Sequence, residues 1–303
     1  MTAVTPIDAY WWSPRRAPRV AARLLWQAPA LWATKVSGTH TAFTNHGDEL
    51  NAVILPELTG RPVRWVPLGR EDLVGIGSLL DLYVRHGGRG QVLGSGAVSE
   101  DAGVFDPARV AVLRDRILAV RGPMTRDTFG LDARVPLGDP GLAVRAFGIT
   151  PRSRRSGRVF VAHYREYADR RRRSIVAEYR RAGFRIAHPT TDAREMIRLL
   201  GAAEYVVSSG MHGVILANAL ETPVTLVSLD DLTPAMPGRK YRDYFASVGL
   251  PVRVSSWRAA LRDDDALRSS AERDIATTTG RIDDLVAGLY RAAAPLRSTS
   301  GSS

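Results

Sequence analysis

The sequence predicts an α/β protein built as two parallel-sheet units that face one another across a cleft. Three observations carry this reading. Short apolar runs ending in glycine or a polar turn recur along the chain, helical patterns alternate with them, and a polar, basic, turn-rich stretch at Pro151–Gly157 separates two such series. Runs this short suit buried parallel strands, whose carboxyl ends carry the loops that bind ligands. A chain of 303 residues is long enough to bury two ordinary cores.

Residues 1–35 read as an irregular N-terminal arm rich in Trp, Pro and Arg. Trp11, Trp12, Trp26 and Trp32 are too costly to expose together, so part of the arm is expected to pack on the body or on a partner. The first unit, residues 36–150, opens with a helix over Gly47–Leu58, which Pro56 is expected to kink or end early. Strands follow at Val63–Val66, Leu73–Ile76, Gln91–Leu93 and Ile117–Val120, with helices at Ala108–Arg114 and Pro123–Phe129. The second unit, residues 151–292, has strands at Arg158–Ala162, Phe184–Ala187, Tyr205–Val207 and Val224–Leu229. Its helices are a charged one through Ile175, Val176 and Tyr179, one that Asp192 and Glu195 open as a capping box, and one over His212–Leu220. Helices at Tyr241–Val248 and Ile282–Tyr290 complete the unit, and residues 293–303 read as a disordered tail.

Composition narrows the function. With 45% hydrophobic and 24% charged residues and a mean hydropathy of -0.13, the chain has a globular profile. It has no cysteine, which excludes disulfides, thiolate metal sites and cysteine nucleophiles. The apolar stretch from Val20 to Leu31 is interrupted by Arg23, Gln27 and Pro29, so neither a signal peptide nor a span is expected and the protein reads as cytoplasmic. The net charge of +11 gathers around Arg152–Arg158 and Arg170–Arg185. Either the composition is simply rich in arginine, or these residues form a basic skirt toward the inner face of a membrane or a phosphorylated lipid carrier. No aromatic interleaving accompanies them, so no nucleic acid is expected as a partner.

Two clusters carry the candidate chemistry. In Ser208-Ser209-Gly210-Met211-His212-Gly213 a strand delivers small residues to its carboxyl end and a helix begins, so free N–H groups face the cleft as an anion site. His212 is the residue there that can donate a proton near neutral pH and contact an anion; the alternative is a histidine that only caps or packs the helix. In Asn45-His46-Gly47-Asp48-Glu49-Leu50-Asn51, two carboxylates and two amides open a helix. They suit sugar hydroxyls or a general base, or merely complement the helix dipole. Arg121 and His163 stand at strand ends, where an arginine can clamp a carboxylate or phosphate. No HExxH, GxGxxG or GxxxxGK[ST] motif is present, so no zinc, dinucleotide or P-loop nucleotide is expected.

Five motifs in order, Asn45 to Asn51, Gly94-Ser95-Gly96, Val120-Arg121-Gly122-Pro123, Gly138-Asp139-Pro140 and Met211-His212-Gly213-Val214-Ile215, resemble the polysaccharide pyruvyl transferase family. The likeness runs to about Leu250 and includes Lys240-Tyr241-Arg242-Asp243-Tyr244. It implies two Rossmann-like domains resembling the GT-B glycosyltransferase architecture, an acceptor-side domain followed by a donor-side one. It also implies transfer of a pyruvyl group from phosphoenolpyruvate to a saccharide, often lipid-linked, as a ketal in cell-envelope or exopolysaccharide biosynthesis. By the same resemblance His212, Asp48 and Glu49 are the catalytic candidates, and Arg121, His163, Ser209, Gly210, Met211 and Gly213 hold the donor. Asn45, His46, Asn51 and Ser95 line the acceptor side. No metal or cofactor is implied beyond phosphoenolpyruvate as co-substrate. Many family members carry an arginine where this chain has Gly210, and Arg121, then Arg165, are the residues expected to replace it. The competing readings are a nucleotide-sugar glycosyltransferase and a saccharide-binding protein without activity.

Overall fold

A computed structural model describes residues 4–13, 16, 45–148, 155–167, 170–229, 238–262 and 265–297. Two five-stranded sheets, parallel throughout, organise the chain. The first comprises β1 (Ile7–Tyr10), β2 (Val63–Trp65), β3 (Leu73–Val74), β4 (Gln91–Ser95) and β5 (Ile117–Val120), in the order β2-β1-β3-β4-β5. The second comprises β6 (Arg158–Val161), β7 (Arg185–Ala187), β8 (Tyr205–Ser208), β9 (Val224–Ser228) and β10 (Ser255–Ser256), in the order β10-β9-β8-β6-β7. The innermost strands are buried on both faces: Val206 and Val207 of β8 and Val92 and Leu93 of β4 are all 0% exposed.

The helices of the first sheet are α1 (His46–Glu49), α2 (Asn51–Thr59), α3 (Leu80–His86), α4 (Pro107–Arg114) and α5 (Pro123–Thr128), with a 3-10 helix at Pro140–Phe147. Those of the second are α6 (Arg170–Arg181), α7 (Ala193–Ala202), α8 (Met211–Ala219), α9 (Arg239–Val248) and α10 (Trp257–Leu261), and α11 (Asp265–Ala293) closes the chain. Local chemistry explains the boundaries. Asp192 accepts from the backbone N–H groups of Arg194 and Glu195 at the start of α7, and Asp106 does so for Ala108 ahead of Pro107 in α4.

Three expectations are corrected. Residues 7–10 are not irregular: Ile7–Tyr10 pairs with β2 on one side and β3 on the other, so this segment lies inside the first sheet. Trp11 is buried behind it, whereas Trp26 and Trp32 lie outside the described residues. Pro56 does not end its helix, which runs on to a left-handed Gly60. Complete burial of Ile54, Leu55 and Leu58 outweighs the proline's cost of about 3 kcal/mol. The last helix is 29 residues long rather than confined to Ile282–Tyr290. Its first half is polar apart from a few positions such as Leu267 and Ala271, so it lacks the apolar periodicity that marks the second half. The segment at 151–157 falls largely outside the described residues, as does most of the tail.

One apolar cluster spans both sheets. Ile54, Leu93 and Leu142 from the first half join Val206, Ile215 and Leu216 from the second, with Ile282, Leu285 and Leu289 of α11 among them. The carboxyl ends of the two sheets, and the loops that leave them, enclose one cavity. No helix among the described residues is long and apolar enough to cross a membrane.

Candidate active site

The cavity measures about 370 Å³ and takes its lining from both sheets. The first sheet's side supplies Trp12 after β1, Asn45, His46 and Asp48 from the α1 turn, and Ser78 after β3. The second supplies His163 to Arg165 after β6 and Gly210 to His212 at the start of α8; Lys240 comes from the first turn of α9, which packs against α5.

Asn45 builds the first wall. Its side-chain oxygen caps α1 at Gly47 N–H, and its Nδ2 donates to Asp48 Oδ2 at 2.5 Å. Asp48 is buried, and burial pushes its carboxyl up to about 7 against the lowering effect of that hydrogen bond and of Lys240. His46 is anchored by its backbone N–H to Pro189 O at 2.9 Å. Its Nδ1 is buried without a hydrogen-bond partner, and burial lowers the ring to about 4.

Three residues expected beside these turn elsewhere. Glu49 accepts from Ser13 Oγ at 2.5 Å and does not line the cavity. Asn51 is 0% exposed and spans the chain as a brace: Nδ2 donates to Asp48 O and Ile76 O, and Oδ1 accepts from Ile76 N. Ser95 donates to Gly77 O at 2.9 Å and accepts from Leu79 N, which shapes the β3 loop. Their polar atoms are spent on the fold rather than held out to a ligand.

On the second wall, β8 ends in Ser208, whose hydroxyl donates to Gly210 O at 2.7 Å. This turn delivers Gly210 as the N-cap of α8. Ser209 Oγ accepts from His163 N at 3.0 Å, so it steadies the neighbouring loop without lining the cavity. Gly213 is a packing residue, because a Cβ there would stand 2.3 Å from Ser208 Oγ and 2.9 Å from Val161. Gly210 differs: an added Cβ would meet only His163, at 3.6 Å.

His212 reaches across the cavity onto the first wall. Its ring lies so close over Gly47 that a Cβ there would stand 2.0 Å from Nδ1. Nε2 is shut off from solvent without a hydrogen-bond partner. Burial lowers its affinity for a proton well below the ordinary histidine range, and His46, Lys240, Arg121 and His163 add to the effect. His163 is lowered to about 3, by burial first and then by Lys240 and Arg165.

Arg121 is not held out to the cavity. It is 0% exposed, pairs with the equally buried Asp243 of α9 at 3.2 Å, and donates to Ser78 Oγ at 2.7 Å and Ala97 O at 3.3 Å. Asp243 also accepts from Thr125 N and Thr125 Oγ1. Gly96 is required here, since a Cβ would stand 2.2 Å from the guanidinium carbon. The strand-end arginine read as a ligand clamp is thus the centre of a seam that ties β5 and α5 to α9.

Nothing in the sequence marks Lys240 as a site residue beyond its place in a resembling motif. Its ammonium lines the cavity with no hydrogen bond or ion pair to a described residue; the nearest interaction is with the face of Tyr241, 5.1 Å away. Burial lowers it to about 8, helped by Arg121 and Arg165 and opposed by Asp48. Arg165, the weaker of the two arginine candidates, does reach the cavity beside Tyr164, which shares the strand end of His163; Trp12 and Ser78 are lining residues that sequence reading missed. Among the described residues no group of three or more His, Cys, Asp or Glu side chains is placed to hold a metal ion.

An α/β protein with two parallel sheets and one cavity lined by cationic and polar side chains at their carboxyl ends is the class that this fold and site define. Residues 77–231, just over half of the chain, match the polysaccharide pyruvyl transferase family, and the chain belongs to that family of transferases. Over 146 residues it is 29% identical to the succinoglycan biosynthesis protein ExoV of Rhizobium meliloti (strain 1021). That stretch covers 45% of this chain and 42% of the relative, so the similarity spans less than half the length of either.

Proposed function

We propose that this protein transfers a pyruvyl group from phosphoenolpyruvate to two hydroxyls of a saccharide, as a cyclic ketal, during synthesis of a cell-envelope or secreted polysaccharide. The observation that carries the reading is the gathering of Lys240, His163, His212 and Arg165 in one cavity where Asp48 is the single acidic residue among the described lining. Lys240, His163 and His212 are held below their ordinary proton affinities, first by burial and then by neighbouring cations: Arg121 and Arg165 for the lysine, Lys240 among others for the histidines. A compact ligand carrying both carboxylate and phosphate reverses that repulsion, and phosphoenolpyruvate is such a ligand.

The chemistry balances with the groups present. A proton goes to the methylene carbon of the donor, making the methyl group. Two sugar oxygens bond to the adjacent carbon and inorganic phosphate leaves. Of the two hydroxyl protons, one replaces the proton spent on the methyl group and the other leaves with phosphate. In this reading the donor's arrival restores the proton on His212, which then acts as acid and charge partner at the start of α8. Asp48, poised near 7, takes the hydroxyl proton from the acceptor. Asn45 and His46 keep the acceptor side, while Glu49, Asn51 and Ser95 support it from behind.

The facing parallel sheets favour a GT-B-like arrangement with the donor on the second lobe. Exposed Arg170, Arg171, Arg180 and Arg181 on α6 favour a lipid-linked acceptor met at the inner face of a membrane, with the enzyme cytoplasmic. The test is calorimetric titration with phosphoenolpyruvate beside uridine and guanosine diphosphate sugars. Saturable binding of phosphoenolpyruvate alone, with turnover abolished in a folded His212→Ala variant, is the expected result. Binding of a nucleotide sugar in its place overturns the reading in favour of glycosyl transfer.

A further inference from the structure

One surface of the cavity is aromatic and carries no charge to offer the donor. Among the described lining residues, the charged nitrogens are those of Arg165, which follows β6, and of Lys240 on α9, the helix that Asp243 ties to Arg121 and Thr125. The first sheet's side presents an amide at Asn45, a hydroxyl at Ser78, a carboxyl at Asp48 and an indole at Trp12. Trp12 stacks on Tyr164, with ring centroids 6.1 Å apart and planes 30° from parallel. The two rings leave the carboxyl ends of β1 and β6, so they form a shelf that crosses from one lobe to the other.

The backbone on either side of Trp12 is pinned. Trp65 Nε1 donates to Trp11 O at 2.9 Å, and Ser13 Oγ donates to Glu49. Tyr164 is steadied in turn by His163, whose ring centroid is 4.4 Å away. A rigid, partly exposed aromatic shelf beside hydroxyl-binding groups is amphipathic in the way a pyranose ring is: apolar C–H groups on its faces, hydroxyls around its edge. Phosphoenolpyruvate has neither ring nor apolar face.

Resting on the reading that the acceptor is a saccharide, we propose that Trp12 and Tyr164 form the platform on which the acceptor sugar ring stacks, with Asn45, Ser78 and Asp48 at its edge. The platform holds two ring hydroxyls toward the anion-binding wall. It selects for a pyranose face rich in C–H groups, and it sets acceptor affinity without touching the donor.

Saturation-transfer NMR on the whole chain tests this with methyl β-glucopyranoside, methyl β-galactopyranoside, methyl α-mannopyranoside, lactose and cellobiose as probes, beside uridine and guanosine diphosphates. At least one pyranoside is expected to bind with one ring face saturated. Its affinity is expected to fall about tenfold in Trp12→Ala and to recover in Trp12→Phe, which keeps an aromatic face. Phosphoenolpyruvate affinity, measured on the same variants, stays at the wild-type value and shows that the cavity is intact. Absence of binding by all five pyranosides overturns the proposal, as does an affinity indifferent to Trp12. Trp12-dependent binding of a nucleoside diphosphate without any pyranoside makes the shelf a base platform, which also overturns it. Trp12-dependent pyranoside binding in a protein that ignores phosphoenolpyruvate supports the platform and sinks the donor assignment alone.

Discussion

Arg121 is a fully buried cation and Lys240 a half-buried one, they belong to adjoining parts of one structure, and they do opposite things. Arg121 has Asp243 at 3.2 Å and gives its remaining donors to Ser78 and Ala97. Lys240, three positions before Asp243 on the same helix, has no hydrogen bond or ion pair to a described residue and loses proton affinity. A buried charge with its partner in the fold is costly to disturb; one without a partner costs the fold, and under the proposed function that cost is recovered when the donor binds. The difference separates architecture from chemistry where residue type cannot.

The largest expected effect breaks the first member of the comparison. Arg121→Met leaves Asp243 buried and uncompensated, so urea unfolding should show a loss of about 3–5 kcal/mol. A loss under about 1 kcal/mol would mean that the seam is not held by that pair. The second change sharpens the contrast from the other side. Lys240→Met should weaken phosphoenolpyruvate binding by about 10–100-fold, the worth of a hydrogen bond to a charged group, while leaving stability at neutral pH unchanged or raised. A variant that unfolds readily but binds normally would place Lys240 with Arg121 instead.

The pH dependence follows from the same lysine. Its folded-state value of about 8 lies below the 10.5 of the unfolded chain, so between these values the unfolded state holds more protons. The cost of burying the ammonium is present in full below about 8 and is relieved as pH rises toward 10.5. Wild-type stability measured relative to Lys240→Met should therefore climb across that window, and a flat difference would remove the buried charge from the account. Donor affinity should move the opposite way, falling as pH rises through about 8. The smallest effect concerns Gly210→Ala. The new Cβ meets His163 only at ordinary contact distance, so thermal unfolding should change by no more than about 0.5 kcal/mol. A larger loss would show that the α8 cap needs glycine after all.

Much of the fold was legible because parallel strands write themselves as short apolar runs, and β2 to β9 all announce themselves so. β1 and β10 did not. Ile7-Asp8-Ala9-Tyr10 is short, its Asp8 faces outward to Arg64, and it lies in a tryptophan- and arginine-rich segment far from the strands it joins. In the site, His212, His163, Asp48, Asn45 and His46 were found because helix starts and strand ends with polar residues have few other uses. Arg121 was misread for an instructive reason: a strand-end arginine looks the same in sequence whether its carboxylate is a ligand's or that of Asp243, 122 positions away. Lys240 was missed because one lysine among polar neighbours carries no local pattern, and only its burial sets it apart.

The long final helix has a consequence for how the molecule comes into being. Ile282, Leu285 and Leu289 of α11 fill a core shared with Ile54, Leu93 and Leu142, and Leu289 lies 3.2 Å from where a side chain on Gly138 would stand. As the chain leaves a ribosome, the first sheet emerges long before the helix that covers its apolar side. Until α11 has been translated, that half of the molecule has an uncovered face, the condition under which nascent chains recruit chaperones or associate wrongly. Synthesis order therefore makes the two lobes one cooperative unit, and the first should not hold its shape when produced by itself.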